Sequence, residues 1–238
     1  MNYDKWTEER VVDRVTPVPD LSRRMAKLKA MALAVLAATA VLAVACSNDT
    51  GSSADAADGI AADSGARQLS GVTREPVPDV SALALPEAVD PAIPFRFVAE
   101  RDQLLLVYFG YTACPDVCPT TLADLKAAFK QLGAKSRNVS LAMATIDPRR
   151  DSAEVISGYL RSFFPAATAL RTDDDAALRS VTDAFGANYE AKYPNNSEPE
   201  VSHSAYLYVI DDQGNLVVQW PFGTTANDIA LDLEQLLA

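Results

Sequence analysis

Two cysteines four positions apart, Cys114 and Cys118, and the single histidine of the chain, His203, are the residues whose types carry chemistry. A thiol pair at that spacing either closes a disulfide or presents two sulfurs to one metal ion. Two soft sulfurs and one imidazole suit copper, since thiolates favour Cu(I) and the added nitrogen accommodates Cu(II). A structural zinc would want four protein ligands, more than this set offers. A lone histidine is ordinarily structural or simply exposed. Here it directly precedes an apolar run, A-Y-L-Y-V-I, which places it at a sheet edge.

The elements that must position these residues are legible around the cysteines. Leu104 to Phe109 is short, apolar and aromatic, as expected of a strand buried on both faces. After Gly110, apolar residues recur at Leu122, Leu125, Phe129 and Leu132, which is helical spacing. Pro119 fits only the first turn of a helix, so Cys118 falls at or just before the helix start, and Pro115 holds Cys114 back in the loop. A strand-to-helix junction is where an open α/β sheet presents its chemistry. The flanking glycine and prolines predict a loop near the surface. The N–H groups of the helix start predict a lowered thiol pKa.

The remaining elements follow in order. Val72 to Ile93 carries four prolines and predicts an extended lead-in or hairpin, with Phe95 and Phe97 alternating as on an edge strand. Asn138 to Ile146 reads as a strand ending at the turn Asp147-Pro148, and Ser152 opens a helix to about Phe164. Ala167 to Arg171 reads as a short strand, and Thr172 or Asp173 caps a helix to Phe185 closed by Gly186. Tyr189 to Val201 reads as a polar loop. Ala205–Ile210 and Leu216–Trp220 are strands joined by the hairpin turn D-D-Q-G-N, and Thr225 to Leu237 is a closing amphipathic helix. This order predicts an α/β domain, a mixed sheet with helices on both faces.

The third cysteine belongs to the other end of the chain. Arg23, Arg24, Lys27 and Lys29 precede an uncharged Ala/Leu/Val-rich segment that ends at Ala45 and Cys46. A basic region, an apolar region and small residues before a cleavage point are the parts of an export signal, here in residues 1–45. L-A-V-A-C resembles a bacterial lipoprotein signal, in which Cys46 is lipidated; an uncleaved membrane span is the alternative. Both readings put the rest of the chain on the outer side of the cytoplasmic membrane. Residues 46–71, rich in Ser, Gly, Ala and Asp, read as a flexible tether leading to a domain over 72–238. A net charge of −11 argues against nucleic acid as a partner, because phosphate binding needs a basic face.

Y-F-G-Y-T-A-C-P-D-V-C-P-T-T-L-A-D-L, then I-D-P-R-R-D-S, then V-S-H-S-A-Y-L-Y-V-I-D closely resemble the Sco (SenC) family, from about Val107 to the C-terminus. The resemblance implies a thioredoxin-like fold tethered outside the membrane, a bound copper ion as Cu(I) or Cu(II), and a part in assembling the CuA site of cytochrome c oxidase. It implies Cys114, Cys118 and His203 as copper ligands, with Asp147 supporting the site and Asp116 tuning the loop between the cysteines. The implied partners are the copper-bearing oxidase subunit, a thiol reductant or another copper chaperone, and the membrane.

Two functions lead at this level, with peroxide reduction by a low-pKa cysteine a third on the same fold. One is a copper-transfer protein; the other is a thiol-disulfide oxidoreductase in which Cys114 and Cys118 reduce the cysteines of the oxidase copper site. Dithiol oxidoreductases of this fold usually carry two residues between the cysteines, whereas here there are three, which favours copper.

Overall fold

The computed structural model describes residues 67–195 and 197–238; the export segment, Cys46 and the greater part of the tether lie outside these residues. The centre of the domain is strand β3 (Leu104–Gly110), in which every residue is buried. It pairs in parallel with β4 (Val139–Thr145), which pairs in parallel with β5 (Thr168–Leu170). On its other edge β3 runs antiparallel to β8 (Tyr206–Ile210), which runs antiparallel to β9 (Leu216–Pro221). The mixed sheet therefore has the order β5-β4-β3-β8-β9.

Alternation along β3 sends neighbouring side chains to opposite faces. Phe109 meets Phe185 of helix α3 (Asp175–Phe185), with ring centroids 5.2 Å apart. Tyr108, one residue earlier, points to the face covered by α1 (Val117–Leu132), where Cys118 lies. Helix α4 (Ala226–Leu236) packs against α1, and α2 (Ala153–Phe163) lies along β5. Both sheet faces are covered, as expected of a thioredoxin-like domain. Among the described residues no helix is long and apolar enough to cross a membrane.

Local signals set the helix ends. Ser152 Oγ accepts from the Val155 N–H at 3.3 Å and Thr225 Oγ1 from the Asp228 N–H at 3.1 Å. Gly186, with φ of 66°, closes α3 in the left-handed conformation that favours glycine. The cap of α3 is neither Thr172 nor Asp173 but Asp174, whose Oδ1 accepts from the Ala177 N–H at 3.1 Å. Thr172 instead accepts from the Asp174 N–H and fixes the cap itself.

Two expectations are corrected. Residues 189–201 are not a loop throughout: β6 (Tyr189–Lys192) and β7 (Glu200–His203) form an antiparallel ribbon. One face of this ribbon is half-buried and the other exposed, so its alternation is carried by few apolar residues and looks like polar loop. His203 is thus the last residue of β7, opposite Tyr189, just before β8 begins.

The tether also ends earlier than residue 71. Ser70 and Gly71 donate backbone N–H groups to the buried Asp232 carboxylate at 3.0 Å, and Arg67 forms an ion pair with it. The lead-in then bridges β9 at Val72 and forms the hairpin β1 (Ala84–Pro86) and β2 (Pro94–Arg96), in which Phe95 is half-buried and Phe97 wholly buried.

Candidate metal centre

The site begins where β3 ends. A Cβ on Gly110 would stand 3.0 Å from Cys118 Sγ and 2.7 Å from Tyr108 Cε1, so glycine is what lets α1 set its first turn against the strand. The loop between them folds back on itself, and the Cys118 N–H donates to Cys114 Sγ at 3.3 Å. Both cysteines are free thiols; Cys118 is fully buried and Cys114 is 9% exposed. The loop lies at the surface as predicted, with Ala113, Pro115 and Asp116 exposed, while its two cysteines turn inward.

The ribbon β6–β7 brings His203 over this loop from 85 residues away, with Nε2 at 3.6 Å from Cys118 Sγ. Its Nδ1 lies 3.1 Å from the Ser204 carbonyl. A carbonyl only accepts, so Nδ1 carries the proton and Nε2 turns a bare lone pair toward the sulfurs. The rings of Tyr108 and Tyr111 stand edge-on to the imidazole, at centroid distances of 6.1 and 5.9 Å, and fix its plane. The two sulfurs and the ring nitrogen all lie within 4.8 Å of one another. Two soft sulfurs and a correctly tautomerised imidazole at that spacing fit a copper ion after small side-chain rotations.

The electrostatics correct the expectation of an acidic thiol. Burial pushes Cys118 up to about 12, outweighing the nearby Tyr108 hydroxyl and Tyr111 backbone, which favour the thiolate. Burial likewise lowers His203 below its usual range, partly offset by the Ser204 carbonyl. At neutral pH Cys118 therefore keeps its proton and the imidazole is uncharged. The helix start favours a thiolate only within its first turn, and here desolvation outweighs it.

The family model described as SCO1/SenC matches residues 99–238, which hold all three of these side chains. The chain belongs to the SCO1/SenC family. An SCO2-like protein of Rickettsia prowazekii is 31% identical over 131 residues, 54% of this chain and 63% of that protein. The chain thus matches just under two thirds of that relative's length. Among solved structures, apo Sco1 of Thermus thermophilus is 31% identical with a TM-score of 0.61, covering 71% of this chain and 96% of that one. ScoI of Bradyrhizobium japonicum, solved with copper bound, is 25% identical with a TM-score of 0.56, covering 65% of this chain and 96% of that one.

In this Sco-family chain, the two aspartates singled out from sequence lie outside the cluster. Asp147 is fully buried, ion-paired with Arg150 and accepting from the Tyr193 hydroxyl. Arg150 in turn stands over the Tyr111 ring at 5.6 Å, so Asp147 reaches His203 only through two intermediaries. Asp116 is exposed and accepts from Thr120 Oγ1 at 3.3 Å. It stands at the cap position of α1 without accepting a backbone N–H through its side chain, and it lies outside the ligand cluster.

Sequence reasoning missed Asp151. This buried carboxylate accepts from the Thr112 N–H at 3.1 Å, Thr112 Oγ1 at 2.5 Å and Thr145 Oγ1 at 2.6 Å. It clamps the cysteine loop to the end of β4. Its only sequence signal is the second aspartate of D-P-R-R-D, which also reads as a helix-start residue. A groove of about 450 Å³ is lined by Tyr111, Ala113 and Pro115 around the cysteine loop, by Val201 and Ser202 of β7 next to His203, and by Arg150.

Proposed function

We propose that this chain is a copper metallochaperone that holds Cu(I) or Cu(II) through Cys114 Sγ, Cys118 Sγ and His203 Nε2 and passes it to the copper-bearing subunit of cytochrome c oxidase during assembly of CuA. The observation that carries the reading is the direction of the imidazole: Nδ1 is tied to Ser204 while Nε2 faces a sulfur at 3.6 Å. A histidine that merely filled the core would have no need of a bare nitrogen turned toward two thiols. Copper bound in ScoI of B. japonicum supports the choice of metal. Cys114 and His203 form the accessible side of the cluster, next to the groove, and a receiving thiol would enter there to exchange ligands one at a time.

A thiol-disulfide oxidoreductase is the second reading, favoured by two free thiols on one loop with the Cys118 N–H already directed at Cys114 Sγ. In that reaction the Cys114 thiolate attacks a disulfide of the oxidase copper site and forms a mixed disulfide. Cys118 then displaces it, so that the partner disulfide is reduced to two thiols and the Cys114–Cys118 pair is oxidised. The two roles alternate, because a disulfide removes two of the three ligands. The basic stretch, apolar segment and Cys46 support a lipid-anchored location on the outer side of the cytoplasmic membrane.

The test is metal analysis of the protein purified under reducing conditions. About one copper per chain is expected. A metal-free protein that nevertheless turns over an oxidase copper-site disulfide would leave only the second reading.

A further inference from the structure

Tyr108 is wholly buried in the middle of β3, yet its hydroxyl has no hydrogen-bond partner. A buried phenol ordinarily finds an acceptor, so an orphan here asks for an explanation. Its surroundings supply one. Tyr108 Cε1 and Cys118 Sγ converge on one point above Gly110, and the His203 ring stands edge-on at 6.1 Å. Thr121, on the next turn of α1, is the other polar side chain close by, and it donates its own proton to the Val117 carbonyl at 2.8 Å. A neutral thiol is a weak acceptor, but a thiolate is a strong one and a better one than a neutral hydroxyl.

We infer that Tyr108 is a positioning residue of the metal centre, its hydroxyl donating a hydrogen bond to the Cys118 sulfur once that sulfur is a metal-bound thiolate. The inference deepens the copper reading above and rests on it. When copper binds, Cys118 releases its proton to solvent. One sulfur lone pair then goes to the metal and another accepts the Tyr108 O–H. The phenol keeps its proton throughout, and nothing is oxidised or reduced. The unmet hydroxyl of the metal-free chain is thus a donor held ready for charge that arrives with the ion. Such outer hydrogen bonds set how strongly a ligand sulfur binds and how readily it gives up electron density.

The experiment loads the reduced full chain with Cu(II), free of excess reductant, and records the sulfur-to-copper charge-transfer band and the copper affinity. Tyr108→Phe removes only the donor: one copper is retained, the band moves to longer wavelength, and affinity falls about 10- to 100-fold. The control is Tyr208→Phe. Tyr208 is equally buried with an equally orphaned hydroxyl, but it packs on Phe109 and Phe185 at the opposite sheet face, and its loss leaves the band in place. Should Tyr108→Phe fail to fold, 3-fluorotyrosine installed at position 108 keeps the shape, strengthens the donor and shifts the band to shorter wavelength. An unmoved band in both position-108 variants, or an equal shift in Tyr208→Phe, overturns the inference while leaving the copper reading intact. A wild-type chain that takes up no copper overturns both.

Discussion

Nε2 of His203 and Sγ of Cys118 lie 3.6 Å apart although 85 residues separate them in the chain. Neither residue reaches the other by local structure. Cys118 is set by β3 and α1, His203 by the ribbon β6–β7, and the two units meet through Tyr111, whose hydroxyl donates to the Val201 carbonyl at 3.3 Å. Disturbing either unit therefore acts on the centre without touching a ligand.

Gly110→Ala tests the floor of the site. The new methyl would meet Cys118 Sγ at 3.0 Å, Tyr108 Cε1 at 2.7 Å and Met143 Cε at 3.1 Å, in a core with no space to yield. The expected cost is about 1–3 kcal/mol of stability, read as a lower denaturant midpoint, together with weaker copper binding as Cys118 is pushed from its place.

Asp151→Asn tests the clamp. An amide keeps the size but presents N–H groups to donors, so at least one of the contacts from Thr112 and Thr145 is lost. The domain should lose roughly 1–3 kcal/mol, and Cys114 should be alkylated faster as its loop loosens. Unchanged alkylation would show that the loop holds its shape without the carboxylate.

The same logic shows what could be read from sequence and what could not. The run Leu104–Phe109 and the pattern from Leu122 declare strand and helix because their burial is complete and periodic, and the junction between them follows from the position of Pro119. The ribbon around Glu190 and Glu200 stays hidden because only one face of it is covered. The sign of the Cys118 shift is not legible because a helix start is a local feature, whereas the burial that outweighs it arises only in the folded chain, where β3 and His203 close over the sulfur. Asp232 gave no sign of its role. Its partners Trp220, Ser70, Gly71 and Arg67 come together only in the folded chain.

That carboxylate carries an acid-dependence prediction. Burial alone would raise the pKa of Asp232, but donors from Trp220 (2.8 Å), the Ser70 and Gly71 backbone and Arg67 outweigh it and hold the pKa below its ordinary 3.8. A depressed folded pKa gives stability that is complete above the unfolded value and fades as pH falls through the folded one. Unfolding free energy should therefore decline below about pH 4. In Asp232→Asn that part of the decline should be absent, and stability at neutral pH lower by about 1–3 kcal/mol. Limited proteolysis of the variant should also free the segment around Ser70.

Copper affinity should rise with pH. Because burial holds Cys118 protonated up to about 12, metal binding at neutral pH must expel that proton. Apparent affinity should increase about tenfold per pH unit for this one proton through the neutral range. A flat profile would mean that Cys118 is not a ligand.

The measurement that tests the central claim most directly is Cu(II) binding by the reduced chain and by its His203→Ala variant, followed by titration and by the charge-transfer spectrum. The two-sulfur, one-nitrogen centre predicts about one copper per wild-type chain and a variant whose Cu(II) affinity collapses while it remains folded and its thiols still titrate as free. Equal stoichiometry, affinity and spectrum in the two proteins would contradict it.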